Sequence, residues 1–132
     1  MGTWPGHYPD SCPPESAVEP QGTRYRFVKK PTVQAKDFMS HLELYIKGLR
    51  FKDRQPWDDD CMASGLSVYE TKEAAEQKRG ATGGMRRLKI AEGDVTGLGR
   101  IATTPPKNSA GHQTWWVPEE VDPEQIFTVV DP

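Results

Sequence analysis

Hydrophobic and polar residues alternate in several short stretches of the chain, which is the pattern of half-buried strands. The first stretch runs from Arg24 to Val28, with Tyr25 and Phe27 on one face and Arg26 on the other. Five further strands are predicted, at residues 66–69, 87–92, 99–103, 112–117 and 126–130. The last of these is rich in β-branched residues and is expected to be buried.

Two other stretches are predicted to be helices, the first from the helical spacing of its hydrophobic residues and the second from the signals at its two ends. The first runs from about Val33 to Lys47 and is ended by Gly48. Its hydrophobic stripe consists of Phe38, Leu42, Tyr45 and Ile46. The second follows Thr71, a plausible N-cap, and ends at Gly80. These elements predict an α+β fold: a single mixed, mainly antiparallel twisted sheet of about five or six short strands, with two main helices.

Proline and glycine dominate the first 22 residues, which contain almost no aliphatic side chains. This composition predicts a flexible or loosely docked tail over residues 1–22, followed by a single α+β domain over residues 23–132. A chain of 132 residues is of the size of one domain. Within the tail, Trp4 and Tyr8 are the side chains that could pack against the domain or a partner.

The charge and the cysteines narrow the classes of function. A net charge of −2 gives no basic field for double-stranded nucleic acid. The two cysteines, Cys12 and Cys61, are too few for a disulfide scaffold and lack zinc-site spacing, so a reduced, cytoplasmic protein is expected. The chain has no run of 18 apolar residues, so no membrane segment is expected. The acidic run Asp58–Asp60 is expected to be a solvated loop or helix cap, and no metal or cofactor is predicted.

Eight residues are candidates for binding a ligand: Arg24, Arg26, Ser67, Tyr69, His112, Thr114, Trp115 and Trp116. Arginine on an early strand can bind a phosphate through two hydrogen bonds. Adjacent tryptophans on a strand point to opposite faces, so one is expected in the core while the other lines a groove or stacks on a base. The alternative is that both indoles are core or edge residues.

Motifs of known catalytic chemistry are incomplete in this chain. His112-Gln113-Thr114 has the form of one half of a two-histidine phosphodiesterase, but a second such motif is missing. The segment from Ser64 to Ser67 is not a nucleophile elbow, and the glycines after residue 80 are not followed by the lysine of a phosphate loop.

Most of the domain, from Arg24 to Val130, resembles small uncharacterised bacterial proteins of actinobacterial type. The likeness rests on Arg24-Tyr25, residues 37–40, residues 65–71 with Ala75, Ile90-Ala91 and residues 111–116. That family brings no activity to this chain.

A weaker resemblance is to the ADP-ribosyltransferase-like architecture. It rests on the order of an early arginine strand, a Gly-x-Ser-x-Tyr strand entering an alanine-bearing helix, and a proline-marked segment before the last strand. The resemblance implies that Arg24 or Arg26 and Ser67 or Tyr69 would hold NAD. Where such enzymes have a catalytic glutamate, this chain has His112 and Gln113, so the cation-like transition state has no carboxylate partner.

Three functional hypotheses follow. The first is a binding module whose groove, between the Arg24 strand, the Ser67–Tyr69 strand and the His112 segment, takes a nucleotide-like or phosphate-bearing ligand. The second is an ADP-ribosyltransferase-like enzyme acting on NAD, with Arg26 on the pyrophosphate and Tyr69 against the nicotinamide. The third is a protein-interaction module that uses Trp4 and Tyr8. The first two require arginine, Ser67 or Tyr69, and His112 to face one cleft.

Overall fold

A computed structural model describes residues 3–50, 59–104 and 111–130. The strands are β1 (Thr23–Val28), β2 (Leu66–Tyr69), β3 (Lys89–Asp94), β4 (Arg100–Thr103), β5 (His112–Trp116) and β6 (Thr128–Val129). The α-helices are α1 (His41–Ile46), α2 (Asp60–Ser64) and α3 (Lys72–Ala81). Three short 3₁₀ helices cover Ala35–Phe38, Gly83–Met85 and Pro123–Gln125.

The six strands form one antiparallel sheet in the order β4-β5-β2-β1-β3-β6. β1 pairs with β3 along its whole length, from Thr23 to Val28. Between β1 and β2, the register joins a single pair, Tyr25 with Tyr69. The predicted α+β fold with one mainly antiparallel sheet is confirmed. Among the strand pairs described, β1 and β2 have the fewest paired residues.

The two faces of the sheet are covered differently. On the face that we call the α3 face, Tyr69 and Ile90 pack against Ala75 of α3. On the opposite face, called the core face, Val68 and Trp115 belong to the main hydrophobic cluster of the protein. This cluster also contains Val28, Phe38, Leu66, Ala91, Val95, Ile101, Val117 and Phe127. Because side chains alternate along a strand, each residue's face fixes the faces of its neighbours.

The predicted helix over residues 33–47 is divided in two. Met39 and Ser40 are both extended, which separates the 3₁₀ helix Ala35–Phe38 from α1. Ser40 then caps α1, because its hydroxyl accepts a hydrogen bond of 3.1 Å from the backbone N–H of Glu43. Helical spacing of hydrophobic residues did not reveal this break, because Phe38 and Leu42 are four positions apart and both buried, as residues on one face of a continuous helix would be.

Helix α2 was not predicted, and it begins at the end of the acidic run 58–60. The Asp59 carboxylate accepts hydrogen bonds from the N–H groups of Cys61 and Met62, at 2.9 and 3.3 Å. Part of the acidic run 58–60 is therefore a helix cap, as predicted, whereas Asp58 lies outside the described residues. The cap at Thr71 is also confirmed, with its hydroxyl 3.0 Å from the Ala74 N–H.

Residues 3–22 contact the rest of the protein. Val18 forms a bridge with Ile101 at the β4 edge of the sheet, and the Tyr8 hydroxyl accepts a hydrogen bond of 3.1 Å from the Val117 N–H. The rings of Trp4 and Tyr8 stack at 5.9 Å and pack beside buried Trp116. Residues 3–22 therefore have many contacts with the rest of the protein. The flexibility predicted for residues 1–22 stays a prediction.

The cysteines form a disulfide between Cys12 and Cys61, so the prediction of two reduced thiols is wrong. The bond joins the N-terminal segment to α2 on the α3 face, next to Trp116, whose indole N–H donates to the Cys61 carbonyl at 2.8 Å. Residue count alone did not reveal the pair, because the two cysteines are 49 positions apart and are brought together by the docking of the N-terminal segment.

The final strand is shorter and more exposed than the sequence predicted. β6 contains only Thr128 and Val129 at the edge of the sheet, while the buried residue of the segment is Phe127, on the core face. No helix among the described residues has both the length and the hydrophobicity to cross a membrane.

Candidate ligand-binding site

The eight predicted site residues lie on three adjacent strands, because β5, β2 and β1 are neighbours in the sheet. Strand pairing places Tyr69 opposite both Tyr25 and His112, and Ser67 opposite Thr114. Cross-strand partners share a face. The α3 face therefore holds Ser67, Tyr69, His112, Thr114 and Trp116. The core face holds Arg24, Arg26 and Trp115. The single cleft required by the first two hypotheses is not formed, and the candidates divide into two groups.

The guanidinium of Arg26 binds the backbone where β1 and β2 separate. Its Nε donates to the Asp37 carbonyl at 3.0 Å, and one terminal nitrogen donates to the Ser67 carbonyl at 2.7 Å. The group lies 5.6 Å from the centre of the Phe38 ring. Burial lowers the pKa of Arg26 to about 10, and the nearby Asp37 carboxylate opposes that shift. These contacts give Arg26 a structural role.

Arg24 is half-buried at the end of β1 and reaches across β2 to β5. Its Nε donates to the Gln113 side-chain oxygen at 2.6 Å. One terminal nitrogen, Nη1, donates to the carbonyls of Gln21 and Thr23, at 2.8 and 3.1 Å. The Gln113 amide in turn donates to the Thr103 hydroxyl at 3.4 Å. Within the described part of the chain, the second terminal nitrogen of Arg24, Nη2, has no hydrogen-bond partner.

A cavity of about 400 Å³ lies beside this group, between the N-terminal segment, β4 and β5. It is lined by Ser16, Val18, Glu19, Pro20, Gln21, Arg24, Ile101, Ala102, Thr103 and Gln113. Arg24 supplies a positive charge and Glu19 a negative one, while hydroxyl and amide groups line the rest of its polar wall. Gln113 and Thr103 were absent from the predicted site. Gln113 is adjacent to His112 in β5, so its side chain points to the opposite face of the sheet, where Arg24 lies.

Neither tryptophan of the pair on β5 is available to a ligand. Trp115 and Trp116 are both 0% exposed. Trp115 packs on Phe127 in the core face and donates to the Leu98 carbonyl at 2.8 Å. The N-terminal segment, which the sequence predicted to be loosely attached, covers Trp116. The alternative with both indoles in the interior is the arrangement observed.

On the α3 face, a connected set of polar side chains surrounds His112, which is only 8% exposed. Its Nε2 lies 3.0 Å from the Ser67 hydroxyl. Its Nδ1 lies 3.0 Å from the Thr104 carbonyl oxygen and 3.1 Å from the Thr104 hydroxyl. That hydroxyl is 2.8 Å from the Thr114 hydroxyl. Ser67 is exposed, so one member of the set meets solvent.

A second cavity, of about 420 Å³, lies between the N-terminal segment, α1 and the chain that follows β5. Its lining includes His7, Tyr8, Glu43 and Lys47. Lys47 and Glu43 form an ion pair of 3.1 Å on α1. Burial lowers the pKa of His7 and raises the pKa of Tyr8 to about 12. None of the eight predicted site residues lines this cavity.

No group of three or more His, Cys, Asp or Glu side chains among residues 3–50, 59–104 and 111–130 is arranged to hold a metal ion. Comparison of the chain with models of known families, with curated proteins and with solved structures finds no match. Function is therefore argued from the residues of the sites themselves.

Proposed function

We propose that this domain binds a nucleotide-like or phosphate-bearing ligand in the 400 Å³ cavity at the Arg24 end of the sheet. The observation that carries the proposal is the bonding of Arg24. Three hydrogen bonds from Nε and Nη1 fix its guanidinium, and Nη2 has no partner among the described residues. A fixed arginine beside a cavity binds phosphate well, because its geometry is already set when the ligand arrives.

The proposal differs from the sequence-based hypothesis in its other contacts. Gln113 and Thr103 replace Ser67, His112 and the indoles as the polar groups beside Arg24. Glu19 lines the same cavity, so the negatively charged part of the ligand is expected at the Arg24 side and a hydroxyl-bearing part near Glu19. A sugar phosphate has both kinds of group.

The experiment is a heteronuclear NMR titration with NAD, ADP-ribose, a mononucleotide and inorganic phosphate. Shifts clustered at Arg24, Thr103 and Gln113 are the expected result. Arg24→Gln should weaken binding about tenfold or more, because a charged hydrogen bond contributes about 1.5–3 kcal/mol. Arg87→Gln removes the same charge from an exposed position and is the matched control. The proposal fails if millimolar ligand causes no shifts, or if both variants bind as the wild type does.

Loss of the nucleotide proposal would favour the protein-interaction hypothesis. Ile46, at the end of α1, and Leu49, three residues later, are 56% and 59% exposed, so they are hydrophobic side chains that a partner would cover in addition to Trp4 and Tyr8. The prediction of no double-stranded nucleic-acid partner also stays a prediction.

An ADP-ribosyltransferase-like enzyme acting on NAD is the second candidate. The adjacency of β5, β2 and β1 favours it, because the resemblance assigns NAD-binding and catalytic positions to these three strands. Against it, Arg26 and Tyr69 lie on opposite faces of the sheet, so the cleft that it requires is not formed. Gln113 is the obstacle, since an amide cannot supply the negative charge that stabilises an oxocarbenium-like transition state. Nicotinamide release from NAD should therefore be undetectable in the wild type and should appear in Gln113→Glu. Release by the wild type that is lost in Arg24→Gln would establish the enzyme instead of the binding module.

The disulfide bears on the proposed cytoplasmic location. Disulfides persist mainly in oxidising compartments, so the Cys12–Cys61 bond argues against a reducing cytoplasm as the working environment. Thiol labelling of protein taken directly from cells under acid quench distinguishes an oxidising compartment from a reducing one. Protected cysteines would indicate an oxidising compartment, and two labelled thiols a reducing one.

A further inference from the structure

The set of polar side chains on the α3 face is separate from the proposed nucleotide site. Ser67 and His112 point to one face of the sheet, whereas Arg24 and Gln113 point to the other. The pair consists of an exposed hydroxyl and an imidazole that is 8% exposed, with the Ser67 Oγ 3.0 Å from the His112 Nε2. That separation is within the range of a nucleophile and its general base.

The second nitrogen of the imidazole fixes the direction of the Ser67 hydrogen bond. The Thr104 carbonyl, 3.0 Å from Nδ1, can only accept, so Nδ1 carries the proton and donates. In the neutral ring, Nε2 then has the lone pair, and the Ser67 hydroxyl donates to it. This is the tautomer that a general base needs in order to remove the proton of a serine.

The ring is also held in position by its surroundings. Tyr69 contacts it edge to face, with ring centres 5.4 Å apart. The Thr104 hydroxyl lies 3.1 Å from Nδ1 and also bonds Thr114, which connects the ring to β5. A third group that orients the base is the remaining element of an activated nucleophile, and here it is a backbone carbonyl rather than a carboxylate.

We propose that Ser67 is a nucleophile with His112 as its general base, and that the pair transfers the acyl group of small carboxylic esters to water. The Ser67 oxygen forms a bond to the ester carbonyl carbon while its proton passes to the His112 Nε2. Collapse of the tetrahedral intermediate breaks the bond to the alcohol oxygen, which takes that proton and leaves as the alcohol. Water then attacks the acyl-serine with the same base, releasing the carboxylic acid and restoring both side chains.

The exposure of Ser67 favours substrates that need no enclosed pocket. Ser67 is exposed on the α3 face, so a small ester can approach this residue without entering the 400 Å³ cavity of the nucleotide site. A general base at this distance contributes about 10²–10⁴-fold to a reaction rate. A modest esterase, accelerated by roughly that factor over an isolated serine, is the expected activity.

The test uses a fluorophosphonate, which reacts with activated serines, and p-nitrophenyl acetate, on the full-length disulfide-bonded protein. Intact mass and peptide mapping should find one adduct, at Ser67. Ser67→Ala should abolish both the adduct and the release of nitrophenol above background. Ser11→Gly removes another exposed hydroxyl, outside the 400 Å³ cavity and at a residue whose φ of 63° suits glycine, and should retain both. Because Ser67 is exposed, its alanine variant is expected to fold, which its amide NMR spectrum checks.

A second measurement does not depend on reactivity. Long-range ¹H–¹⁵N NMR of the histidine rings should find His112 with its proton on Nδ1. A proton on Nε2 would overturn the proposal, as would equal labelling of the wild type and Ser67→Ala. Arg24→Gln should leave labelling unchanged. That result separates this proposal from the nucleotide site, whose failure would leave the adduct at Ser67 intact.

Discussion

The Cys12–Cys61 disulfide should be the largest single contribution to stability that can be removed without touching the sheet. It closes a loop between residues 49 positions apart. In the chain-entropy treatment, a cross-link over about 50 residues removes roughly 14 cal/mol/K of entropy from the unfolded chain, or about 4 kcal/mol at 25 °C. Cys12→Ser with Cys61→Ser should lower the free energy of unfolding by about that amount.

Guanidinium unfolding followed by circular dichroism measures the effect. With a slope of about 4 kcal/mol per molar for a domain of this size, the midpoint should fall by roughly 1 M. Reduction of the wild type should give the same midpoint as the double serine variant, and reducing agent should leave that variant unchanged. Hydrogen exchange should rise in residues 3–22 more than in β1 and β3. A midpoint within 0.2 M of the oxidised wild type would refute the reasoning.

Two further predictions concern packing and protonation. Gly65→Ala should destabilise the protein by about 1–3 kcal/mol, because a Cβ there would clash with the Thr114 methyl. Gly80→Ala, with no atom near the added Cβ, should stabilise α3 by about 0.5–1 kcal/mol, and thermal denaturation measures both variants. A neutral result for Gly65→Ala would contradict the close approach. Burial raises the pKa of Tyr8 to about 12, above its ordinary value of 10.0 in the unfolded chain. The folded state therefore favours the protonated phenol, and the stability that this adds is complete below about pH 10 and is lost as the pH rises to about 12. Tyr8→Phe should flatten that alkaline decline and, by losing the bond to Val117, cost about 1 kcal/mol at neutral pH.

The elements with strong local signals were predicted closely. β1, β2 and α3 lie within one or two residues of the predicted bounds, because alternation and the Thr71 cap are local properties. The helix break at Met39 and the short helix α2 were not predicted. Both depend on caps, Ser40 and Asp59. The acidic run was predicted only as a loop or a helix cap, without the helix that follows it, and hydrophobic spacing gave no sign of a boundary at Ser40.

The candidate site was predicted only in part, for a reason that lies in the sheet. Sequence indicated the strands that carry Arg24, Ser67 and His112, and these strands are neighbours. It did not give their relative register, and a shift of one residue moves a side chain to the opposite face. The predicted site placed His112 beside Arg24 and omitted Gln113. In the observed register, Gln113 points to the face that carries Arg24 and bonds to it, whereas His112 points to the other face.

The two arginines of β1 offer a comparison that tests the division between structure and binding. The Arg26 guanidinium donates hydrogen bonds to two backbone carbonyls, at Asp37 and Ser67. The single ammonium group of a lysine does not reproduce this pair of bonds, because it lacks the planar fork of donors. Arg26→Lys should therefore lower the free energy of unfolding by about 2–3 kcal/mol, measured by urea unfolding, and leave nucleotide affinity unchanged.

Arg24→Lys keeps the charge but loses the fixed fork that holds Gln113, so its main effect should be on the ligand. Its affinity for ADP-ribose should fall several-fold, while the free energy of unfolding falls by less than in Arg26→Lys, since the bonds from Arg24 to Gln21 and Thr23 face solvent. The reverse pattern, with affinity lost in Arg26→Lys and retained in Arg24→Lys, would move the ligand to the gap between β1 and β2. In that gap the pairing is limited to Tyr25 and Tyr69, and a ligand phosphate would then displace the Arg26 contact with the Ser67 carbonyl.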